Sequence, residues 1–117
     1  MSVLVLCDDK FHPAAIVRDG LAPLAGRFRF DWIENAVKWS PERMAKHPLT
    51  LIAKSNHVSR EDHRPWMTEA AEAAFVEYVR KGGGLLAVHS GTAGYAETRQ
   101  FRRLLGGVFV RHPKQCN

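Results

Sequence analysis

The stretch Lys81-Gly82-Gly83-Gly84-Leu85-Leu86-Ala87-Val88-His89-Ser90-Gly91-Thr92-Ala93-Gly94 decides the fold class that we predict. The glycines end a helix, and the apolar run over 85–88 that follows is typical of a parallel strand covered on both faces. His89 and Ser90 come directly after this run. Ligands of open α/β sheets bind outside the carboxyl ends of the strands. We therefore expect the functional site beside these two residues.

Outward from this stretch, apolar strand segments alternate with amphipathic helix segments, which predicts a mainly parallel sheet with right-handed crossovers. The predicted strands are 3–7, 28–32, 49–53, 85–88 and 108–110. The predicted helices open at His12-Pro13, near Pro41, at 69 (capped by Thr68, ending at 81) and at 97 (ending at 105). The expected fold class is α/β, a flavodoxin-like three-layer sandwich with strand order 2-1-3-4-5 and one domain over 1–117.

Bulk composition narrows the classes of partner and the compartment. The chain has 117 residues and a formal charge of +5, but its basic residues are scattered and lack the aromatic interleaving of a single-strand nucleic-acid groove. Its apolar runs are too short to span a membrane, and its first residues do not resemble a signal peptide. Two cysteines, Cys7 and Cys116, form no disulfide framework. We expect a cytoplasmic protein that binds neither nucleic acid nor membrane.

The strongest sequence argument for a site is convergence. In the expected strand order, the first, third and fourth strands are neighbours, so the residues after them meet at one edge of the sheet. Each of these strands is followed by polar side chains. These are Asp8, Asp9 and His12; then Asn56 and His57; then His89 and Ser90.

These residue types fit two chemistries, which the sequence leaves open. Histidines with a carboxylate suit a divalent metal such as zinc or manganese, and the same groups serve as general acid and base. The spacing matches no established metal motif. Each residue also has a structural reading: Asp8 or Asp9 can accept backbone hydrogen bonds in a turn, and His57 can be an exposed loop residue.

Two familiar hydrolytic mechanisms are excluded by the turn itself. A serine nucleophile elbow needs Gly-x-Ser-x-Gly, whereas the register here places His89 at the elbow centre. The cysteine of a glutamine amidotransferase is absent from the same position, so covalent thioester chemistry is not expected.

Three blocks of this sequence resemble the trehalose-utilisation (ThuA-like) family. They are Phe11-His12-Pro13, the segment 76–92 that ends in Val88-His89-Ser90-Gly91-Thr92, and Leu105-Gly106-Gly107-Val108-Phe109-Val110-Arg111-His112-Pro113. The resemblance implies a class I glutamine amidotransferase-like fold with a histidine, His89, in place of the cysteine. Family members continue beyond the last block, so we expect this chain to lack the family's C-terminal part.

The family resemblance also implies a role in the catabolism of trehalose and related disaccharides, with keto-sugars among the substrates. It maps the family's recurring histidines onto His12, His89 and His112. We expect His89, His12 and Asp8 to be catalytic, with His89 and His12 as the metal ligands if a metal is bound. The expected substrate-binding residues are Ser90, Asn56, His57 and His112. The alternative is a non-catalytic sugar-binding or subunit-interaction domain, including a homo-oligomer, since a fold does not establish activity.

Overall fold

The computed structural model describes residues 1–114 and shows a four-stranded, fully parallel sheet in the order β2-β1-β3-β4. The predicted α/β class and the order of the first four strands are confirmed, and Cys116 lies outside the described residues. The strands are β1 (Ser2–Cys7), β2 (Arg29–Ile33), β3 (Leu49–Ala53) and β4 (Gly84–Ala87). The helices are α1 (Ala14–Leu21), α2 (Pro41–Ala45), α3 (Glu69–Arg80) and α4 (Arg99–Leu105).

Helix α3 forms where its sequence signals place it. The Thr68 hydroxyl accepts a hydrogen bond from the amide of Ala71 at 3.1 Å and so caps the amino end, as predicted. Its inward face buries Ala71, Phe75 and Tyr78 against the sheet. This face is apolar at helical spacing, and its burial is the main reason why the segment is helical in the folded chain.

The sheet carries unequal layers on its two faces. Helices α2, α3 and α4 cover one face, and their side chains join Leu4, Leu6 and Ile52 in the larger core. On the other face, α1 packs Ala14 against Val3, Val5 and neighbouring residues in a smaller core. The result is a three-layer arrangement that is consistent with the predicted flavodoxin-like sandwich.

Strand β4 corrects one prediction. It is an end strand of the sheet as described, and the run predicted to be covered on both faces leaves Leu86 47% and Val88 42% exposed. Leu86 pairs with Leu51, whose side chain belongs to the α1 face of the sheet. Because α1 has only eight residues and packs over β1 and β3, it does not reach across β4. An apolar run therefore indicated a strand correctly but not its burial.

The predicted fifth strand over 108–110 is also wrong within residues 1–114. Gly106 ends α4 in the left-handed conformation, and afterwards only a single parallel bridge joins Ala93 to Phe109. Val110 is 76% exposed, so this segment has little packing to hold it in a ladder. None of the helices in the described part of the chain is long and apolar enough to cross a membrane.

Candidate functional site

The turn after β1 is built around the carboxylate of Asp9, which is fully buried. Its Oδ1 accepts hydrogen bonds from the amides of Phe11 (2.8 Å) and His12 (2.9 Å), and its Oδ2 accepts one from the amide of Ser55 (2.8 Å). The carboxylate therefore ties the end of β1 to the end of β3. This bonding makes the turn a rigid support for the side chains that it carries.

Asp9 is held as a carboxylate at neutral pH. Burial acts to raise its pKa, but the hydrogen bonds from Ser55, Phe11 and His12 outweigh burial and lower the pKa from 3.8 to about 2. A full negative charge thus lies directly behind the His12 ring.

A chain of hydrogen bonds runs from this buried charge to the surface. Nδ1 of His12 lies 2.8 Å from Oδ1 of Asp9, and Nε2 of His12 lies 3.1 Å from Nε2 of His89. The two imidazole rings meet edge to face, with their centres 4.8 Å apart. The predicted convergence of the β1 and β4 ends is therefore present as a direct contact between side chains.

His89 occupies an unusual backbone conformation, with φ at +50°. Non-glycine residues seldom adopt positive φ, and such strain concentrates at functional sites. The turn brings Gly91 very close to the carbonyl oxygen of Ile52. A Cβ at this position would lie 2.0 Å from that oxygen, so only glycine fits. The exposed His89 ring lies at the carboxyl end of β4, beside the turn that follows β1.

The contacts determine which nitrogen carries each proton when both rings are neutral. A carboxylate only accepts hydrogen bonds, so Nδ1 of His12 donates to Asp9 and its Nε2 carries the lone pair. Nε2 of His89 must then donate to His12, which leaves Nδ1 of His89 as a proton acceptor. The exposed base His89 is thus oriented by His12, which the buried acid Asp9 orients in turn; unlike a catalytic triad, the series ends in a base and not in a nucleophile.

His12 and His89 border a cavity of about 360 Å³ between α1, the carboxyl half of β3 and the turn that follows β4. Its other walls are mostly apolar and come from α1 and from the α1 face of the sheet. A larger cavity of about 650 Å³ lies at the opposite, amino edge of the sheet beside Pro48 and Gly83, and none of the predicted site residues lines it. The smaller cavity is at the edge where parallel sheets bind ligands.

Asp8, predicted to be catalytic, faces the backbone. Its Oδ1 accepts a hydrogen bond from the amide of Ala14, the first residue of α1, at 2.9 Å, and its Oδ2 accepts one from the amide of Arg60 at 3.3 Å. It does not contact His12 or His89 through any hydrogen bond in the described chain. Asp9, which we placed at this edge of the sheet without a catalytic role, takes the place that we expected for Asp8.

Asn56 also bonds the backbone. Its Oδ1 accepts hydrogen bonds from the amides of Trp66 and Met67, both at 3.0 Å, and the residue is buried. These bonds hold the two ends of the 54–67 connection together. That connection, the longest irregular segment in the sequence, is thus packed into the fold near both of its ends.

The remaining predicted residues differ in their distance from the histidine pair. Ser90 is buried and lines the same cavity as His12 and His89. His57 lies on the 54–67 connection, with its Nδ1 3.3 Å from the Ser55 hydroxyl; burial lowers its pKa. His112 is exposed, and its ring packs against Phe109 with the ring centres 4.8 Å apart. The structure records no hydrogen bond between His112 and either site histidine.

The donor set for a metal is small. Residues 1–114 contain no group of three or more histidine, cysteine, aspartate or glutamate side chains that could hold an ion. His12 and His89 offer two nitrogens 3.1 Å apart, and Asp9 supports His12 from behind, as carboxylates do for metal-binding histidines. Within residues 1–114, this edge of the sheet thus supplies two of the four or more ligands that zinc or manganese takes.

Sequence reasoning placed His12 and His89 together but missed the residue that connects them to the core. The sequence signal for this role was the three-residue spacing between Asp9 and His12. This spacing allows the two side chains to meet within the turn that follows β1. Two adjacent aspartates made the choice ambiguous, and only the backbone direction at Asp8, with φ at +76°, separates their roles.

Comparison with known proteins gives a family. The sequence model of the ThuA family, described as trehalose utilisation, matches residues 8–117. No curated protein and no solved structure matches the chain significantly. The family match covers nearly the whole chain, including all the residues of the histidine pair and its buried carboxylate. The chain therefore belongs to the ThuA (trehalose utilisation) family.

Proposed function

We propose that this protein processes a sugar or keto-sugar in the catabolism of trehalose or related disaccharides, by proton transfer at His89. The observation that carries the proposal is the continuous series of hydrogen bonds from buried Asp9 through His12 to the exposed His89. General acid–base catalysis needs a positioned side chain of this kind, most often histidine. The reducing cytoplasm is the compartment that we expect for it.

The proton path follows from the assigned positions of the hydrogens. Nδ1 of His89 accepts a proton from a sugar hydroxyl or from the carbon next to a keto group, and the electron pair stays on the sugar as alkoxide or enolate. The proton on Nε2 of His89 moves to Nε2 of His12, whose positive charge is then balanced by Asp9. While the exposed His89 holds the proton, that proton exchanges with solvent, and reversal of these steps returns a solvent proton to the sugar, so water is the only other reactant required.

The test follows hydrogen exchange directly. With 3-keto-trehalose in deuterated buffer, we expect the wild-type chain to replace the hydrogens next to the keto group, as followed by proton NMR. His89→Gln should lower this rate by about 100-fold or more, the usual contribution of general base catalysis. His63→Gln is the matched control, because His63 lies exposed on the 54–67 connection, where its side chain bonds the Arg60 carbonyl and packs on the His57 ring and not on the histidine pair.

Each outcome separates the alternatives. An unchanged exchange rate in folded His89→Gln would contradict the proposal. Saturable binding of the sugar without exchange in the wild type would favour the non-catalytic sugar-binding domain instead. Absence of binding would leave the subunit-interaction domain as the better reading of the fold.

A second candidate is a metal-dependent version of the same site. The 3.1 Å between the two Nε2 atoms also suits two ligands of one cation, since Zn–N bonds are about 2.0–2.1 Å long. His12 and His89 would hold the ion, which would supply Lewis-acid polarisation of a sugar oxygen. Titration with Co²⁺ tests for this metal site without an activity assay. A visible absorption band that is lost in His89→Gln would support the site. The absence of a band in the wild type would contradict it.

A further inference from the structure

A solvent-exposed aromatic ring lies next to the histidine pair. Phe11 is 67% exposed and belongs to neither core cluster of the fold. A phenyl ring left in water forgoes the stabilisation that its burial would give. The residue therefore contributes little to the packing of the described chain.

The backbone beneath this ring is fixed. The amide of Phe11 donates to Oδ1 of Asp9 at 2.8 Å, and the amide of Asp9 donates to the carbonyl oxygen of His12 at 3.2 Å. The Phe11 side chain has only two torsions to restrain, so a ligand that packs on it incurs a small loss of conformational entropy. A rigid, exposed ring is suited to ligand contact.

Its position relates the ring to the reacting groups. The centres of the Phe11 and His12 rings lie 6.4 Å apart at 73°, and the His12 and His89 rings follow at 4.8 Å. Lys10 places its ammonium 5.2 Å from the centre of the Phe11 ring, where it can donate to hydroxyl groups. One face of a pyranose ring is lined by C–H groups and is apolar, whereas its rim carries hydroxyls.

We propose that Phe11 is a positioning residue that stacks on the apolar face of a sugar ring and holds it beside His89. This inference rests on the proposed function and names the recognition element of its site. It assigns Phe11 no part in proton transfer. Loss of this stacking contact is expected to weaken sugar affinity about tenfold, which corresponds to about 1.4 kcal/mol.

The experiment titrates trehalose against four chains and follows the sugar C–H resonances by NMR. The wild type should shift these resonances upfield, as a stacked aromatic ring does. Phe11→Ala should abolish the upfield shift and raise Kd about tenfold, whereas Phe11→Tyr should stay within about twofold of the wild type. Val37→Ala is the control, since Val37 is 75% exposed and lies on a different turn.

Hydrogen exchange with 3-keto-trehalose separates positioning from catalysis. Phe11→Ala should raise KM about tenfold and leave kcat within about twofold, because the Asp9–His12–His89 bonds do not involve its ring. Equal affinities for wild type and Phe11→Ala would overturn this inference and leave the proton-transfer proposal intact. An unchanged rate in His89→Gln would overturn that proposal, and a wild type that binds neither sugar would overturn both.

Discussion

The polar residues after β1 and those after β3 look alike in the sequence but have different roles in the structure. After β1, buried Asp9 supports the partly exposed His12, which contacts the exposed His89. After β3, Lys54 and Asn56 are buried and bond the backbone of the 54–67 connection. The first region offers ring nitrogens to a ligand, whereas the second stabilises a long loop.

The difference teaches that a polar residue at a strand end acquires its role from what surrounds it. Nζ of Lys54 donates to the carbonyl oxygens of Glu34 and Val58, so its hydrogen bonds are used inside the protein. A buried polar group must find such partners or lose stability. His89 is exposed, and among residues 1–114 only its Nε2 has a side-chain hydrogen-bond partner, which leaves Nδ1 open to a ligand. Four predictions test this contrast.

The largest expected effect is that of Asp9, which belongs to both regions. Asp9→Asn should lower the free energy of unfolding at pH 7 by about 3 kcal/mol, because bonds from His12 and from buried amides lose a charged acceptor. Asp8→Asn should cost less than about 1 kcal/mol, since asparagine accepts the helix amide nearly as well. Urea unfolding monitored by circular dichroism measures both variants.

The acid side of this prediction follows from the lowered pKa of Asp9. A carboxyl group with a folded-state pKa of about 2, against 3.8 when unfolded, stabilises the protein above pH 4 and loses this contribution as the pH falls towards 2. The difference in the free energy of unfolding between wild type and Asp9→Asn should therefore decrease as the pH falls from 4 towards 2. A gap that stays constant down to pH 2 would show that the charge of Asp9 is unimportant.

Next in size is Asn56, the residue that we expected to bind substrate. Asn56→Ala should lower stability by about 2 kcal/mol, because it leaves the buried amides of Trp66 and Met67 without their acceptor. Asn35→Ala removes a similar acceptor from the amide of Val37 at an exposed turn and should cost less than about 1 kcal/mol. Equal losses in the two variants would mean that burial is not what distinguishes the β3 end.

Lys54, which follows β3, should make the free energy of unfolding depend on pH in the alkaline range. Burial lowers its pKa from 10.5 to about 8, although Cys7, Asp8 and Asp9 act in the opposite direction. Between pH 8 and 9 the unfolded chain binds more protons than the folded chain, so the free energy of unfolding should rise by about 1 kcal/mol. Lys54→Met should abolish this rise in urea titrations at each pH.

At higher pH, the raised pKa of the Cys7 thiol opposes the rise in the free energy of unfolding that Lys54 causes. Burial raises the pKa of its thiol from 9.0 to about 11, so the folded chain retains a proton that the unfolded chain loses above pH 9. Cys7→Ala should consequently prolong the rise in stability beyond pH 9. A wild type whose stability falls steadily from pH 8 would contradict the assignment to Lys54.

The smallest expected effect is at His57. His57→Gln should change stability by less than about 0.5 kcal/mol, since its side chain makes only the 3.3 Å approach to the Ser55 hydroxyl and a ring contact, with centres 5.3 Å apart, to the exposed His63. Trehalose affinity should change by less than about threefold, as measured by the NMR titration. A tenfold loss would extend the ligand site to the β3 end and remove the contrast between the two regions.

Much of the fold could be predicted because it follows from local patterns. The apolar runs at 3–7 and 49–53 and the capped helix after Thr68 each satisfy their own periodicity, and the strand order follows from alternation with helices. A strand formed at Gly84–Ala87, one residue from the expected 85–88, but the exposure of this run depends on how far α1 reaches across the sheet. That reach is a property of packing, and no local pattern contains it.

For the candidate site, the sequence predicted which strand ends carry the polar residues. It did not predict which of these side chains contact one another. The sequence by itself determined an α/β chain of the ThuA family with histidines at the carboxyl ends of β1 and β4, since strand periodicity and chain order place them there. Only the tertiary structure decided that Asp9 supports His12 while Asp8 bonds α1, and that Asn56 holds a loop. Hydrogen-bond direction depends on backbone angles such as the positive φ of Asp8 and His89, which packing across distant segments imposes.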